Sequence, residues 1–441
     1  MRPQLTRREW MALSGKAALA VPFSSAFSLA AAGADRAAGT LSKDEEQLLE
    51  EIERAAFRFF WEQGSSRTGQ IKDRCYADGS ADKRTLASIA STGFGLAGLC
   101  IAAERGYQPR HEITARVKTT LKFLRDESPH EHGFFYHFSD METGVPARGT
   151  EVSTIDTSIL LCGILTCRAY FKDQEISALA TRLYERVDWP WFLNGGSAFS
   201  MGWHPHQGFL ASRWDKYCEL MMIYLLAIGS PTHPVPASCW NAFSRPWFEY
   251  HGLHYINIPA PLFIHQYSHA WFDFRHRHDR YADYFANSVL ATRAHKQFCL
   301  SLHDRFSDYS DNLWGITASD SQHGYVAWGG PPENGPIDGT VVPCAPAGSL
   351  PFWPSPCMAV LRHIRDRFGS KVWKRYGFVD AFNPLTGWID PDVIGIDVGI
   401  TMLMAENLRS GFVWSTFMRN PEAEQAMRKV GFVLTKAHAS G

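Results

Sequence analysis

The sequence lacks the features that mark several large classes of protein. Its 441 residues carry a net charge of −1, so the basic surface that binds nucleic acid or strongly anionic polymers is not expected. Nine cysteines are scattered without a Cys-x-x-Cys pair, which argues against a disulfide framework and a structural zinc site. No repeat of fixed length and no linker-like stretch occurs, which argues against a solenoid and favours one domain over residues 35–441.

Histidine spacing gives little indication of a bound metal. His204 and His206 form one close pair and His276 and His278 another, but neither pair has the His-Glu-x-x-His spacing of a zinc enzyme. We therefore predict neither a metal nor a cofactor.

The N-terminal segment resembles an export signal. Arg7 and Arg8 precede a short apolar run that contains serines, and residues 32–34 (Ala-Gly-Ala) offer a small-residue cleavage site. This predicts a twin-arginine-type signal over residues 1–34, with an ordinary secretory signal as the alternative, and a periplasmic mature protein. Thr85–Ala103 carries no charge, but its serines and glycines favour a core helix over a membrane span. We expect the mature protein to be a monomer without a membrane-bound part.

Two kinds of helical segment alternate along the chain. Lys43–Gln63 carries an apolar stripe on one face, whereas Thr92–Ala103 and Leu220–Gly229 are apolar on nearly all sides, as in helices buried all round. This alternation predicts an all-α toroid with an inner and an outer ring of helices. Glycine- and proline-rich stretches such as Thr317–Pro354 predict long loops that shape a pocket. The predicted helices span 43–63, 86–105, 111–127, 154–171, 175–187, 215–228, 236–244, 262–272, 279–303, 355–368, 391–408 and 411–429.

The segment 133–158 places four carboxylates beside an uncharged apolar run. Asp140, Glu142, Glu151 and Asp156 lie there among aromatic, glycine and hydroxyl residues. Carboxylates close to a buried helix are costly unless they are paired, hydrogen-bonded or used in chemistry. Paired carboxylates are what sugar hydrolysis requires. In the structural alternative, Asp140 and Glu142 belong to turns, Glu151 pairs with a nearby arginine or supports a helix cap, and Asp156 bonds to backbone or hydroxyl groups.

Polar residues also stand where other apolar helices are predicted to begin. Asp215 and Glu219 open the helix predicted over 215–228, and Asp397 lies near the start of the helix predicted over 391–408. Because inner helices of a toroid run roughly parallel, their N-terminal ends would meet at one mouth, where helix dipoles favour carboxylates. The i, i+4 spacing would place Asp215 and Glu219 on one helix face, and Glu219, at the apolar border, suits a general acid. A salt bridge to a neighbouring basic residue is the alternative for Glu219.

Further residues could line the predicted pocket. Polar side chains that could bind sugar hydroxyl groups are those of Asp73, Arg74, Asp140, Asp215, His265, Tyr267, His269 and Asp397. Trp203, Trp214 and Trp271 have flat rings on which glucose could stack. In the alternative, His265, Tyr267 and His269 pack in the core, and Asp73 and Arg74 form a surface ion pair.

Several longer segments carry a family resemblance. They are STGFGLAGLCIAAERG (91–106), GFFYHFSDMETG (133–144), EVSTIDTSILLCG (151–163), RVDWPWF (186–192), RWDKYCELMMIYLLAIGSPTHPVP (213–236), HQYSHAWFDFR (265–275), NLWGITASD (312–320), APAGSLPF (345–352), WKRYGFVDAFN (373–383), WIDPDVIGIDVG (388–399) and ENLRSGFVW (406–414). In this order, and over nearly the whole mature chain, they resemble the bacterial glucoamylase-like domain of glycoside hydrolase family 144, the endo-β-1,2-glucanases. The related domain of cyclic β-1,2-glucan synthases is similar.

The resemblance implies an (α/α)6 barrel with a large pocket that hydrolyses β-1,2-linked glucan with inversion. It places Glu151 of the EVSTIDT motif and Glu219 of the RWDKYCE motif at acidic positions regarded as catalytic candidates in the family. Relatives often move the proton through a substrate hydroxyl group or a water molecule. Cys162, Cys218 and Arg148 depart from the family pattern, which bears on specificity.

These residues together predict endo-hydrolysis of a β-1,2-glucan. Glu219 is the expected acid and Glu151 the expected base, with the reverse assignment open and Asp156 as a further catalytic candidate. Inversion requires carboxyl groups roughly 6.5–9.5 Å apart. The alternatives are a transglycosylase on the same fold, an α-glucosidase or other glucosidase, and a glycan-binding protein without activity. A polysaccharide lyase is disfavoured because the basic groove is missing.

Overall fold

The computed structural model describes residues 41–435, and the predicted export signal over 1–34 lies outside them. In chain order the α-helices are α1 Lys43–Glu62, α2 Ile89–Arg105, α3 Arg110–Asp126, α4 Thr154–Tyr170, α5 Gln174–Glu185, α6 Trp189–Leu193, α7 Met221–Gly229, α8 Tyr284–Ser301, α9 Cys344–Ala347, α10 Pro354–Phe368, α11 Gly395–Arg409, α12 Phe412–Phe417 and α13 Pro421–Lys429. Short 3-10 helices span Ala237–Asn241, Leu262–His265, Tyr267–Ala270 and Gly369–Lys371.

Short strands fill many of the connections between helices. They are β1 Arg74–Tyr76, β2 Leu86–Ser88, β3 His130–Glu131, β4 Phe134–Phe135, β5 Phe138–Asp140, β6 Val152–Ser153, β7 Gly202–His204, β8 Gly208–Phe209, β9 Trp247–Tyr250, β10 Leu253–Ile256, β11 Arg277–His278, β12 Ala318–Ser319, β13 Val326–Ala327, β14 Trp373–Lys374, β15 Gly377–Phe378, β16 Phe382–Asn383, β17 Trp388–Ile389, β18 Asp392–Ile394 and β19 Val433–Leu434. They pair antiparallel in twos, except that β6, β7 and β8 form a three-stranded sheet. The fold is therefore helix-rich, and its short strands pair with one another in the connections between helices.

The predicted alternation of two helix types is confirmed. α1 begins with a capping box, in which the Ser42 hydroxyl accepts the Glu45 N–H and the Glu45 carboxylate accepts the Ser42 N–H. Its apolar face is buried, whereas α2 and α4 are buried along almost their whole lengths. One hydrophobic core extends from α1 to α13. Within residues 41–435, no helix combines the length and the apolar character needed to cross a bilayer.

Four predicted helices are wrong in part. The helix predicted over 215–228 begins only at Met221, so Asp215 and Glu219 precede it and share no helix face. The cause is a competing pairing, because Ser244 donates its N–H to the Asp215 carbonyl and accepts the Tyr217 N–H, each at 2.8 Å. The segments 236–244 and 262–272 form only short 3-10 helices, and 411–429 divides into α12 and α13 at a proline.

The helices α2 and α4 pack with their backbones in contact. A Cβ atom placed on Gly163 of α4 would lie 2.0 Å from the carbonyl oxygen of Gly93 in α2. α11 approaches α2 almost as closely, because a Cβ atom on Gly399 would lie 2.3 Å from the ring of Phe94. Glycine at these positions therefore sets the spacing of the central helices.

We expect Gly163→Ala to destabilise the fold by about 1–3 kcal/mol or more, because the new methyl group meets backbone that cannot rotate away. The measurement is urea unfolding followed by circular dichroism. Ser177→Ala, on the exposed side of α5, is a matched control that should change stability little. Equal stability of the two variants would contradict the close approach of α2 and α4.

Short strands join the N-terminal ends of α2, α4 and α11 into one rim. β18, which leads into α11, pairs with β1, and β2, which leads into α2, pairs with β5. The Asp73 carbonyl accepts the Gly395 N–H at 2.7 Å, and the His137 carbonyl accepts the Ile89 N–H at 3.2 Å. The His137 N–H in turn donates to the carbonyl of Glu151 at 2.9 Å, just before β6 and α4. The rim therefore gathers three helix N-termini on one side of the molecule.

A buried ion network joins α1 to α11. Arg409, whose side chain is 6% exposed, forms ion pairs with Glu46 and Glu50 at 3.0 Å and with Glu53. Glu53 is fully buried. Burial raises the pKa of the Glu53 carboxyl group, and the Arg409 guanidinium opposes this rise. The Arg409 side chain thus compensates negative charge that has no access to water.

Candidate active site

The rim holds a cluster of one histidine and two carboxylates, here called the His137 cluster. His137 Nδ1 lies 3.2 Å from Glu151 Oε1, and His137 Nε2 lies 3.7 Å from Asp156 Oδ2. Glu151 is 7% exposed and Asp156 4%. Ser153 caps α4 by accepting the Asp156 N–H at 3.1 Å, and its hydroxyl donates to the Asp156 carboxylate. The His137 ring therefore lies between the two carboxylates, with Nδ1 at hydrogen-bond distance from Glu151 and Nε2 farther from Asp156.

Glu219 is buried at the start of α7, next to the segment that carries Glu151. Trp214 Nε1 donates to Thr154 Oγ1 at 2.7 Å, so the chain just before Glu219 touches the chain just after Glu151. Ser268 Oγ donates to the Glu219 carbonyl at 2.6 Å and accepts the Met222 N–H at 3.1 Å. No side chain caps the N-terminus of α7 at Leu220. Ser268, in the short helix over 267–270, instead holds the backbone on both sides of this point, at Glu219 and Met222.

A second acidic group lies where β1 and β18 meet the loops before β16 and β18. Its members are Asp320, Asp380 and Asp390, here called the acid triplet, with one carboxylate oxygen from each within 4.8 Å of the others. Arg74 forms ion pairs with Asp320 and with Asp73.

Asp397, in the first turn of α11, is buried near this triplet. It accepts the Cys344 S–H at 3.3 Å. Burial raises the pKa of Asp380 well above its usual range, and the nearby charge of Asp397 raises it further.

A hollow of about 480 Å³ lies beside the strands β1, β2 and β5. Its lining consists of Arg74, Arg84, Thr85, Leu86, Asp140, Val145, Pro146 and Ala147. Arg74 lines the hollow and also pairs with Asp320 of the acid triplet. On the other side, Asp140 belongs to β5, which begins at the residue after His137. This volume lies within the range of pockets for small ligands.

Asp140 has a structural role, and Asp215 is exposed. Asp140 Oδ1 accepts the backbone N–H groups of Glu142 and Thr143 at 3.1 and 2.9 Å, so it organises the turn after β5, as the structural alternative expected. Asp215 is exposed in the loop before α7.

The predicted aromatic and histidine residues are mostly in the core. His265, Tyr267, His269 and Trp271 are each 3% exposed or less, and Trp214 is fully buried, so neither tryptophan presents a ring face to a sugar in this structure. Trp203 is half-buried and packs against Trp191, with ring centroids 5.5 Å apart. These positions fit the packing alternative, because an aromatic side chain has the same sequence pattern in a core as in a pocket.

His265 is held as a neutral imidazole. Its Nε2 faces Asn257 Oδ1 at 3.1 Å and its Nδ1 faces the Tyr217 hydroxyl at 3.3 Å. Since the amide oxygen can only accept, Nε2 carries the proton and Nδ1 accepts from Tyr217. Burial lowers the pKa of His265 to about 3.

We expect this histidine to make the protein less stable in acid. The unfolded chain binds a proton with a pKa near 6.5, whereas the folded chain binds it only near 3, so acid favours unfolding. Between pH 6.5 and 5 the stability advantage of the wild type over His265→Asn should shrink by roughly 2 kcal/mol, measured by urea unfolding. Tyr217→Phe, which removes a hydrogen bond but no imidazole, should give a difference that varies much less with pH. Parallel pH profiles for wild type and His265→Asn would contradict this prediction.

Within residues 41–435, two groups of residues could hold a metal ion, namely the His137 cluster and the acid triplet. Among the described residues, the histidine pairs at 204 and 206 and at 276 and 278 belong to neither group. Sequence reasoning missed His137, Asp320 and Asp380. Their only signal was their position inside the segments GFFYHFSDMETG, NLWGITASD and WKRYGFVDAFN.

Comparison with known proteins finds one family model that matches part of this chain. Residues 211–421 match a family model described as "Putative glucoamylase". An exo β-1,2-glucooligosaccharide sophorohydrolase (non-reducing end) from Parabacteroides distasonis is 27% identical over 435 residues, which cover 89% of this chain. The chain spans 59% of that relative's length.

Two solved structures are similar over almost their full length. A "putative glucoamylase" from Bacteroides uniformis superimposes with a TM-score of 0.83 at 27% identity, covering 90% of this chain and 99% of the other. An endo-β-1,2-glucanase from Chitinophaga pinensis, in complex with sophorotriose and glucose, superimposes with a TM-score of 0.82 at 27% identity, covering 89% and 99%. The motifs, the fold and these relatives agree that the chain is similar to glucoamylase-like proteins and to β-1,2-glucan hydrolases, which fits glycoside hydrolase family 144.

Proposed function

We propose that this protein hydrolyses β-1,2-linked glucan. The observation that supports the proposal is the contact between the segments that carry Glu151 and Glu219, where Trp214 Nε1 donates to Thr154 Oγ1 at 2.7 Å. The names of two similar proteins support the substrate, since one is an endo-β-1,2-glucanase and the other acts on β-1,2-glucooligosaccharides. The Chitinophaga relative also holds sophorotriose and glucose.

The chemistry follows the roles expected from the sequence. Glu219 protonates the leaving glycosidic oxygen, directly or through a substrate hydroxyl group, and the bond from that oxygen to the anomeric carbon breaks. Glu151 removes a proton from a water molecule whose oxygen bonds to the anomeric carbon from the opposite face, which inverts the configuration. The proton gained by Glu151 balances the one lost by Glu219. The reverse assignment of the two residues is the alternative.

The His137 cluster suggests a positioning role for Asp156. Asp156 is separated from Glu151 by the His137 ring and is tied to the cap of α4 through Ser153. A carboxylate held this way orients the imidazole, and the imidazole orients Glu151. We therefore assign proton transfer to Glu151 and orientation to Asp156.

We also propose that the helices complete an (α/α)6 barrel. The apolar helices α2, α4, α7 and α11 would belong to the inner ring, and the amphipathic helices α1, α3 and α5 to the outer one. The buried side chains of the first set and the one-sided burial of the second support this arrangement.

The test is incubation with linear β-1,2-glucan, cyclic β-1,2-glucan, starch and β-1,3-glucan, with new reducing ends as the readout. We expect activity on the β-1,2-linked substrates alone, and the first products of inversion to carry the α-anomer by NMR. Activity on starch alone would indicate an α-glucosidase, longer products with an added acceptor sugar a transglycosylase, and binding without new reducing ends a glycan-binding protein.

The mode of attack has two candidates. We propose endo attack, which the endo-acting Chitinophaga relative supports; the exo-acting Parabacteroides relative favours the alternative. Endo attack should release a ladder of oligosaccharides and cut cyclic glucan, whereas exo attack should release a single small product and leave the cyclic glucan intact.

We propose finally that residues 1–34 direct export to the periplasm. The arginine pair and the cleavage site in the sequence support this. Fractionation of cells that express the full chain should find the protein in the periplasm, and Arg7→Lys with Arg8→Lys should retain it in the cytoplasm.

A further inference from the structure

The acid triplet takes part in no step of the proposed hydrolysis. One carboxylate oxygen from each of Asp320, Asp380 and Asp390 lies within 4.8 Å of the others. Asp380 and Asp390 are only 4% and 3% exposed. Like charges so close together and away from water repel strongly, so three adjacent carboxylates need a source of positive charge or bound protons.

Each carboxyl group of the triplet has one oxygen held by the protein and one that is not. Asp380 Oδ2 accepts the Asp320 N–H at 2.9 Å, Asp390 Oδ1 accepts the Asp392 N–H at 3.0 Å, and Asp320 Oδ2 pairs with Arg74. Within residues 41–435, Asp320 Oδ1, Asp380 Oδ1 and Asp390 Oδ2 are buried without a hydrogen-bond partner. The held oxygens orient the carboxyl groups, and each carboxyl group keeps one buried oxygen that can bind a ligand.

The positive charge near the triplet does not balance it. Arg74 divides its guanidinium between Asp320 and Asp73. Two positive charges at the centre of the triplet would remove the repulsion among its carboxylates.

We propose that the acid triplet binds one calcium ion. Ligands that are all oxygen favour a hard cation. One oxygen from each carboxyl group lies within 4.8 Å of the others, and two oxygens that bind the same Ca²⁺ at about 2.3–2.6 Å can be up to about 5 Å apart, so the three can share one ion. Mg²⁺ usually keeps several bound waters and is seldom enclosed by protein ligands alone, so a buried group of protein carboxylates favours calcium.

The ion has a structural role in this position. It joins the segment at Asp320 to the loops before β16 and β18, which hold Asp380 and Asp390, and so stabilises the position of Arg74 at the edge of the hollow. This site goes beyond the proposed hydrolysis and does not depend on the substrate.

The experiment measures binding of the metal alone. The full protein, treated with a chelator and dialysed, is titrated with CaCl2 by calorimetry, and its Tm is followed with CaCl2, MgCl2 or NaCl at equal ionic strength. We expect one Ca²⁺ per chain, a rise in Tm with calcium and a smaller rise with magnesium. Asp380→Asn and Asp390→Asn should each weaken calcium binding at least about tenfold, because each removes a charged ligand. Asp311→Asn, whose side chain is 82% exposed in the wild type, should bind calcium like the wild type.

A wild-type protein that binds no calcium and shows no rise in Tm would overturn the proposal, whatever the variants do. Calcium binding that is equal in wild type, Asp380→Asn and Asp390→Asn would overturn it as well, since the ion would then lie elsewhere. Both readouts are independent of glucan hydrolysis, so a failed activity assay leaves this test intact.

Discussion

Glu151→Gln and Glu219→Gln should each lower kcat on β-1,2-glucan by about 10²–10⁴-fold, while the protein stays folded. A glutamine has nearly the shape of glutamate but neither gives nor takes a proton, so each substitution removes one half of the acid–base pair. KM should change little, because both side chains act mainly in the transition state. The readout is new reducing ends under substrate saturation, with circular dichroism to confirm the fold.

Glu142→Gln is the matched control for these two variants. It belongs to the same acidic segment but is exposed, and its carboxylate accepts from Ser65 Oγ at 2.8 Å. We expect nearly unchanged kcat. Wild-type turnover in Glu151→Gln or Glu219→Gln would remove that residue from the mechanism.

Asp156→Asn separates positioning from proton transfer. We expect a smaller loss of kcat than for Glu151→Gln and a shifted pH profile, because the imidazole of His137 loses one of its two carboxylates. A loss as large as that of Glu151→Gln, with an unshifted profile, would instead favour direct participation of Asp156.

Arg409→Met should cost about 3–5 kcal/mol of the free energy of unfolding. The substitution keeps an apolar stem but removes the cation that faces Glu46, Glu50 and the fully buried Glu53. Breaking a buried ion pair from one side leaves a charge without compensation, which costs far more than losing an exposed pair. Chemical unfolding at pH 7 measures the effect.

Two comparisons test the cause of this loss. Arg54→Met removes a guanidinium that is 48% exposed and paired with Glu50, and should cost less than about 1 kcal/mol. Adding Glu53→Gln to Arg409→Met should recover part of the stability, because the uncompensated charge is then gone. Strictly additive effects in the double variant would show that Glu53 and Arg409 are not coupled.

The buried helices were predictable because their signal is local. The uncharged runs that form α2, α4 and α7 exclude an exposed face, and Glu151 stands out because it precedes such a run. His137 and the acid triplet could not be found in this way. Their members come from loops and short strands whose pairing partners are far apart in the chain, and such loops have no period to recognise.

The error at the start of α7 has a specific physical origin. The apolar pattern there is helical, but the backbone groups of Asp215 and Tyr217 pair with Ser244, a tertiary partner that local sequence cannot indicate. The tryptophans show a second reason why a site residue cannot be predicted from sequence alone. Trp214 and Trp271 were predicted to stack on sugar, yet both lie inside the core, because the apolar character that favours stacking also favours burial.

The contact between Gly93 and Gly163 has a consequence for how this rim can change in evolution. Side chains can be exchanged for larger or smaller ones, but two touching backbones leave no layer of side chains to exchange. The distance between α2, which follows Ser88, and α4, which follows Ser153, should therefore stay the same among proteins with this fold. New substrate preferences on this framework should therefore arise through insertions and deletions in the loops that leave the rim, such as the one over 77–85, and rarely through rearranged helices.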